Sequence, residues 1–345
     1  MHHATPLIST IVVGLVLAFI LAAIGNRFRI SPLVGYLLAG VLIGPFTPGF
    51  VADQRLANDL AEIGVILLMF GVGLHFTLDD LLSVRAVAVP GAVVQIASAT
   101  LLGMGLAYLL GWSLVAGLVF GLALSVASTV VLLRAMQERR LIETERGRIA
   151  VGWLVVEDLV VILALVMIPA MAGALQGSET TGISALAVPL LITFGKVGAF
   201  VALMLIVGKR LIPLLLHYVA HSGSRELFRL AVLAIALGVA LGASTLFEVS
   251  FALGAFFAGM ILSESELSQR AAQETLPLRD AFAVLFFVSV GMLFDPLILW
   301  REPFAVLATV LIIVFGKSVA AYFIVRLFGY PKSHALTISA SLAQI

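Results

Sequence analysis

From Ser113 to Leu133 the chain runs without one charged residue, and this stretch is one of many like it. Apolar runs of similar length occupy 7–25, 56–74, 84–110, 113–134, 147–173, 185–208, 227–245 and 302–326. Shorter ones lie at 32–46, 249–263 and 280–295, and a last begins near 334. A helix needs about 20 mostly apolar residues to cross ~30 Å of hydrocarbon, and fewer if it is broken or re-entrant. The pattern therefore predicts an all-α polytopic membrane protein. Only 11% of residues are charged and 62% are hydrophobic, whereas a soluble domain carries about 25% charged residues. The short runs are rich in Gly and Phe and are expected to pack within protein rather than face lipid alone.

Other classes fall away on the inventory. A net charge of +1 and no basic patch interleaved with aromatics give nucleic acid nothing to bind. The absence of cysteine excludes a disulfide framework and thiolate metal sites. No G-x-S-x-G elbow, P-loop, H-E-x-x-H or dinucleotide fingerprint is present, so no enzymatic activity is expected. The first ten residues lack the basic region and cleavage site of a signal peptide, and 7–25 reads as a retained first span. The last stretch, SHALTISASLAQI, ends after about half a crossing, and the reading expects a span cut there.

Charge in the loops orients the chain. With the N-terminus outside, the inner loops hold Arg27, Arg29, Arg85, Arg134, Arg139, Arg140, Arg146, Arg148 and most later Lys and Arg, while the outer loops hold only Arg55 and Arg301. That is the positive-inside asymmetry. Lys196 and Lys317 fall within runs. Lys196 sits near the start of its run, where it can snorkel; Lys317 lies well inside 302–326.

The run VGWLVVEDLVVILALVMIPAMAG (151–173) carries Glu157 and Asp158 side by side. Asp158 stands about 16 Å along the helix from Gly147 at 1.5 Å per residue, against a half-thickness of ~15 Å, so it is expected at the midplane. An acid there is a functional residue by default. Adjacent positions point about 100° apart, which makes one acid a site residue and the other its neighbour or tuner. Beside it, GLALSVASTVVLLR (121–134) clusters Ser125, Ser128 and Thr129 among small residues. A close-packed hydroxyl-bearing interface is the common outcome of such a cluster. Next to a midplane Asp, a broken helix whose freed carbonyls line a cation cavity is the better reading. The triplet 84–110, 113–134, 147–173 and the chain from 302 onward also run in opposite senses, an inverted-topology pairing used by secondary transporters.

Other titratable residues read as structural. Glu62 is an acid near a helix start, Glu248 an acid near a helix N-terminus where the dipole favours it, and His75 an interfacial residue. His217 and His221 are expected in a solvated inner loop, ERRLIETERGR (138–148) as a solvated connector, and His2 and His3 as an uninformative terminus.

Across the whole chain, SPLVGYLLAGVLIGP (31–45), AEIGVILLMFGVGLHF (61–76), ALSVASTVVLLRAMQER (123–139), GRIAVGWLVVEDL (147–159), FALGAFFAGMILSES (251–265), LFFVSVGMLFD (285–295) and FGKS (315–318) together resemble the monovalent cation:proton antiporters of the second cation/proton antiporter family, Kef/YbaL branch. The resemblance implies a sodium/proton-antiporter-like inverted-repeat fold with broken crossing helices, with about 12 spans present of an expected 13. It implies scaffold and dimerisation helices over 1–80 and 185–300, including a linker helix at about 185–210, and an ion-transporting core over 81–180 and 301–345. Elevator-like movement of that core, with K+ or Na+ and H+ competing for Asp158, is the implied activity. Relatives place Gln, Asn or Asp just before that acid; this chain has Glu157. In sodium/proton relatives a lysine matching Lys317 pairs with the acid before the ion-binding one, which makes Lys317–Glu157 the implied pair. No cofactor is expected in the chain. Relatives of this branch carry a cytosolic nucleotide-binding regulatory domain, which is absent from this sequence. A homodimer in a bacterial inner membrane is implied, with a ligand-gated potassium efflux system or an organic-anion symporter as alternatives on the same fold.

Overall fold

The computed structural model describes residues 6–175 and 183–343; His2, His3, Gln344 and Ile345 lie outside them. Among the described residues all regular structure is helical. In chain order the helices are α1 (Pro6–Arg27), α2 (Pro32–Ile43), α3 (Gln54–Gly73), α4 (Leu78–Leu109), α5 (Leu114–Ser125), α6 (Thr129–Glu138), α7 (Glu145–Leu175) and α8 (Ile183–Leu203). They continue with α9 (Lys209–His221), α10 (Arg225–Phe247), α11 (Phe251–Ser263), α12 (Ser268–Met292), α13 (Ile298–Arg301), α14 (Pro303–Leu311), α15 (Ser318–Leu327) and α16 (Lys332–Ser341). Two π-helical segments, Met204–Gly208 and Ile312–Lys317, join α8 to α9 and α14 to α15. Among the described residues eight helical stretches are long and apolar enough to cross a membrane. The chain is a multi-pass membrane protein.

Two expectations need correction. The expected inner loop after 208 is helical from Lys209 to His221, and His221 Nδ1 lies 2.7 Å from the His217 carbonyl one turn earlier. The run expected at 280–295 begins twelve residues sooner, at Ser268. In both places the added turns are amphipathic and charged. Charged residues at the edge of an apolar run do not end a helix, so the helices extend beyond the runs that the apolar pattern marks.

The chain divides into two compact units, 1–74 with 209–242 and 250–302, and 75–208 with 243–249 and 303–345. Helix α8, over part of the expected linker, lies in the second. In the first unit, glycines let backbones touch. A Cβ on Gly40 of α2 would meet the Val288 carbonyl and come within 2.8 Å of the Gly291 Cα on α12. Gly73 of α3 and Gly259 of α11 meet in the same way. Lipid tails are as apolar as leucine, so helices in a bilayer gain from close van der Waals packing more than from hydrophobic burial. Around this contact Ala18, Ala39, Ile43, Ala52, Ala57, Val288 and Met292 form a buried cluster. Helix α11, FALGAFFAGMILS, is too short to span alone and is buried from Leu253 to Leu262, as its Gly and Phe content predicts.

In the second unit α4 packs against α5 and α7 with equal closeness. A Cβ on Gly103 would lie 2.5 Å from the Gly121 Cα. Gly91 makes room for the Trp153 indole ring. Helix α4 starts on a capping box, in which the Thr77 hydroxyl accepts from the Asp80 N–H at 3.2 Å and the Asp80 carboxylate from the Thr77 N–H at 3.1 Å. Arg148 at the start of α7 then pairs with Asp80 at 3.1 Å. The connector 138–148 is tied down at several points: His75 lies 3.4 Å from Glu143 and His334 3.3 Å from Glu145. Lys196 has a stronger partner than snorkelling alone supplies, since its ammonium lies 2.5 Å from Glu248, which takes a left-handed backbone at φ 57°.

Candidate functional site

The long apolar run 113–134 does not form one helix. Helix α5 stops at Ser125 and α6 starts at Thr129; between them Val126 is extended (φ −76°, ψ 134°) and Ser128 caps α6 (φ −69°, ψ 111°). The sequence sets this locally. Val126 is β-branched, and Ser128 offers the hydroxyl that an N-cap uses, here accepting from the Val131 N–H at 3.4 Å. A break within an apolar run frees the last carbonyls of α5 and the first N–H groups of α6 from their helical partners. Buried without partners, such groups are costly.

Three side chains from three other segments answer that need in order along the backbone. The Ser125 carbonyl accepts from Gln95 Nε2 of α4 at 2.9 Å. The Val126 carbonyl accepts from Lys317 Nζ at 2.9 Å. The Ala127 N–H donates to Glu157 Oε2 of α7 at 2.9 Å. The charges match the ends they serve: a cation sits at the carbonyl end of α5 and a carboxylate at the amide end of α6, each where the helix dipole favours it. Lys317 closes the π segment Ile312–Lys317. A π turn carries one extra residue per turn and commonly sits at functional positions.

Glu157 and Lys317 are fully buried, and Lys317 is close enough for its charge to act on Glu157. Asp158 differs. It is partly exposed, and the side chain of Thr129, the first residue of α6, lies beside its carboxylate. The two neighbouring acids thus sit differently: Glu157 is bonded to the Ala127 N–H of the break, and Asp158 lies next to it, less completely covered. Among the described residues Glu157 Oε1 has no hydrogen-bond partner, although its second oxygen is engaged.

Of the residues singled out in the sequence, Glu157, Asp158, Thr129, Ser128 and Lys317 come together at the break. Ser125 does so only through its carbonyl. Its hydroxyl turns back to the Leu122 carbonyl at 2.7 Å and is buried. The cavity on that side, about 240 Å³, is lined by Ile96, Leu122, Val126, Val160 and Val161 with Ser125, which leaves a cation almost nothing to coordinate. Two buried residues escape the sequence reading: Gln95, and Trp153, whose indole N–H donates to Gln95 Oε1 at 3.3 Å. The available signal was Gln95 itself, an amide alone in the apolar stretch AVAVPGAVVQIASA (86–99).

Comparison with known proteins gives a consistent result. The family model for the sodium/hydrogen exchanger transmembrane region matches residues 14–345. The chain is 69% identical over its whole length to the "Putative cation/proton antiporter YbaL" of Escherichia coli (strain K12), of which it spans 62%. It is 35% identical over 91% of its length to "K(+) efflux antiporter 4" of Arabidopsis thaliana, of which it spans 52%. It thus spans between about half and two thirds of these relatives. Among solved structures, the sodium proton antiporter MjNhaP1 from Methanocaldococcus jannaschii superposes with a TM-score of 0.63, covering 97% of this chain and 84% of that one at 18% identity. That likeness is one of fold.

Proposed function

The chain belongs to the sodium/hydrogen exchanger family, and from that premise we propose that it forms the transporting part of a monovalent cation/proton antiporter. The observation that carries this reading is the difference between the two adjacent acids. Glu157 is sealed against the broken helix, bonded to the Ala127 N–H, while Asp158 is partly open beside Thr129. A carboxylate within a membrane protein can hold a proton or a partly dehydrated cation, not both. Protonation expels the cation, and re-exposure on the other side of the membrane lets the cation displace the proton. Thr129 supplies a neutral oxygen beside Asp158 that a hard cation can use.

In this scheme Glu157 and Lys317 carry structure and local charge, and Asp158 carries the exchange. The cargo is K+ or Na+, with K+ favoured by the name of the Arabidopsis relative. Movement is elevator-like: the unit holding α4 to α7 and α14 to α16 carries Asp158 from one face to the other, and the unit holding α1 to α3 and α11 to α12 forms the scaffold of a homodimer. The membrane is a bacterial inner membrane, with the N-terminus outside, as the Lys and Arg asymmetry of the loops supports. The test is reconstitution into liposomes. An outward gradient of K+ or Na+ should drive proton uptake measured with an internal pH dye, and an organic anion should not. Cation efflux with no proton movement would replace the antiporter with a channel-like efflux system.

A further inference from the structure

We infer that Gln95 is a positioning residue of the exchange site: it fixes the break between α5 and α6 and so sets cation affinity without touching the cation, an inference that rests on the antiporter reading above. Three successive residues of the break are held by three different segments, Ser125 by Gln95, Val126 by Lys317 and Ala127 by Glu157. Two of these holders are charged, and their grip depends on each other's protonation. Gln95 is the neutral one. It anchors the break in the same way whichever ion occupies Asp158.

The chemistry selects an amide. The Ser125 carbonyl needs a donor and the Trp153 indole N–H needs an acceptor, and Gln95 meets both with one planar group, Nε2 to Ser125 at 2.9 Å and Oε1 from Trp153 at 3.3 Å. Asn and Gln alone among uncharged side chains offer a donor and an acceptor in this fixed fork. The alternative orientation of the amide would set donor against donor and acceptor against acceptor, so the network defines it. All of it is buried: Gln95 and Trp153 are 0% exposed and Ser125 1%. Trp153 precedes Glu157 by four residues, one turn along the same face of α7, and its ring packs on Gly91, one turn before Gln95 on α4. The Trp153–Gln95–Ser125 line therefore ties the acid-bearing helix to the carbonyl end of α5 and fixes the spacing between the Asp158 carboxylate and the backbone oxygens of the break. Cation selectivity and affinity depend on that spacing.

The experiment compares wild type, Gln95→Met and Trp153→Phe in proteoliposomes. Methionine keeps length and bulk and removes both hydrogen bonds; phenylalanine keeps an aromatic ring and removes the donor that orients the amide, together with part of the indole's bulk. The expected result is an apparent cation KM raised roughly tenfold in Gln95→Met and by a smaller factor in Trp153→Phe. The maximal rate per folded protein should stay within about a factor of two. A parallel thermal melt in detergent over a K+ and Na+ series should show the cation-dependent rise in Tm moving to higher concentration in both variants. If wild type exchanges ions and both variants keep its KM and its cation-dependent melting, Gln95 is a packing residue and the inference is wrong. Should Gln95→Met fail to fold, an unchanged KM in Trp153→Phe overturns it equally. If wild type itself moves no protons in response to a cation gradient, the antiporter reading falls and takes this inference with it.

Discussion

Lys317 donates to the Val126 carbonyl at 2.9 Å, one residue before the point where Ala127 donates to Glu157. A buried ammonium and a buried carboxylate thus meet across a single peptide unit of an unwound helix. Each charge has a backbone partner, and the two are near enough for their charges to attract. Removing one member of such a buried pair usually costs ~3–5 kcal/mol, because it leaves the other charge uncompensated, whereas removing both is often close to neutral. Glu157→Gln and Lys317→Gln should therefore each lower the melting temperature in detergent, and the double variant should recover most of the loss. A double variant that melts at the sum of the two losses would show that the charges do not interact.

The glycines of the second unit offer a sharper test of packing. A side chain on Gly121 would strike the backbone of Thr100, with the Thr100 Cα 3.0 Å from the new Cβ, and backbone cannot rotate away. Gly121→Val should cost at least ~1–3 kcal/mol, the usual range for overpacking. Gly105→Ala is its control. Nothing lies within 4 Å of a Cβ there, and within α4 alanine is the better helix former by about 1 kcal/mol. Thermal melts should move in opposite directions for the two. Equal destabilisation would mean that α4 and α5 do not meet as described.

The break at 126–128 was legible in the sequence, from Ser128 and Thr129 standing in an apolar run beside another run that carries two acids. So were the two acids, because a carboxylate in lipid is too costly to be incidental. Lys317 could be placed inside a span, but its contact with Val126 lies 191 residues away in sequence, and no local pattern encodes it. Gln95 was missed for a related reason: one amide in a 32-residue helix barely changes hydropathy, and its role exists only where α4, α5 and α7 meet. The helix Lys209–His221 opens on Lys209 and Arg210 and carries Pro213, His217 and His221, residues that read as the end of an apolar span although the helix continues through them. What sequence shows well here is the cost of burying charge in lipid. Long-range side-chain to backbone bonds need the fold.

The absence of cysteine makes the proposed dimer easy to probe. Phe19 of α1 is 73% exposed and Leu101 of α4 is 67% exposed, so either position can take a cysteine without disturbing a core. If the first unit is the dimer scaffold and the second the moving part, Phe19→Cys should form a disulfide-linked dimer in membranes under mild oxidation, and Leu101→Cys should not. Efficient crosslinking at Leu101 alone would reverse the assignment of the two units.

Asp158→Asn should abolish coupled exchange, whereas Glu157→Gln should only alter it. The reason lies in what each acid touches. Glu157 Oε2 accepts from the Ala127 N–H, and the oxygen of a glutamine can do the same, so the break survives with its charge balance changed. Asp158 lies beside Thr129, the first residue of α6, where the proposed exchange requires one group to bind a proton in one state and a cation in the next. An asparagine takes up no proton at physiological pH and offers a cation only a dipole. The measurement is cation-driven proton flux in liposomes, with a melt in detergent to confirm that each variant is folded. Asp158→Asn should fall to the level of empty liposomes at every pH tested while keeping a wild-type melt. Glu157→Gln should retain flux, with a changed dependence on membrane potential because one charge of the carrier has been removed. Robust cation-dependent flux from Asp158→Asn would end the proposed mechanism. Equal loss in both variants would mean that the two acids act as one site, with Lys317 as its counter-charge.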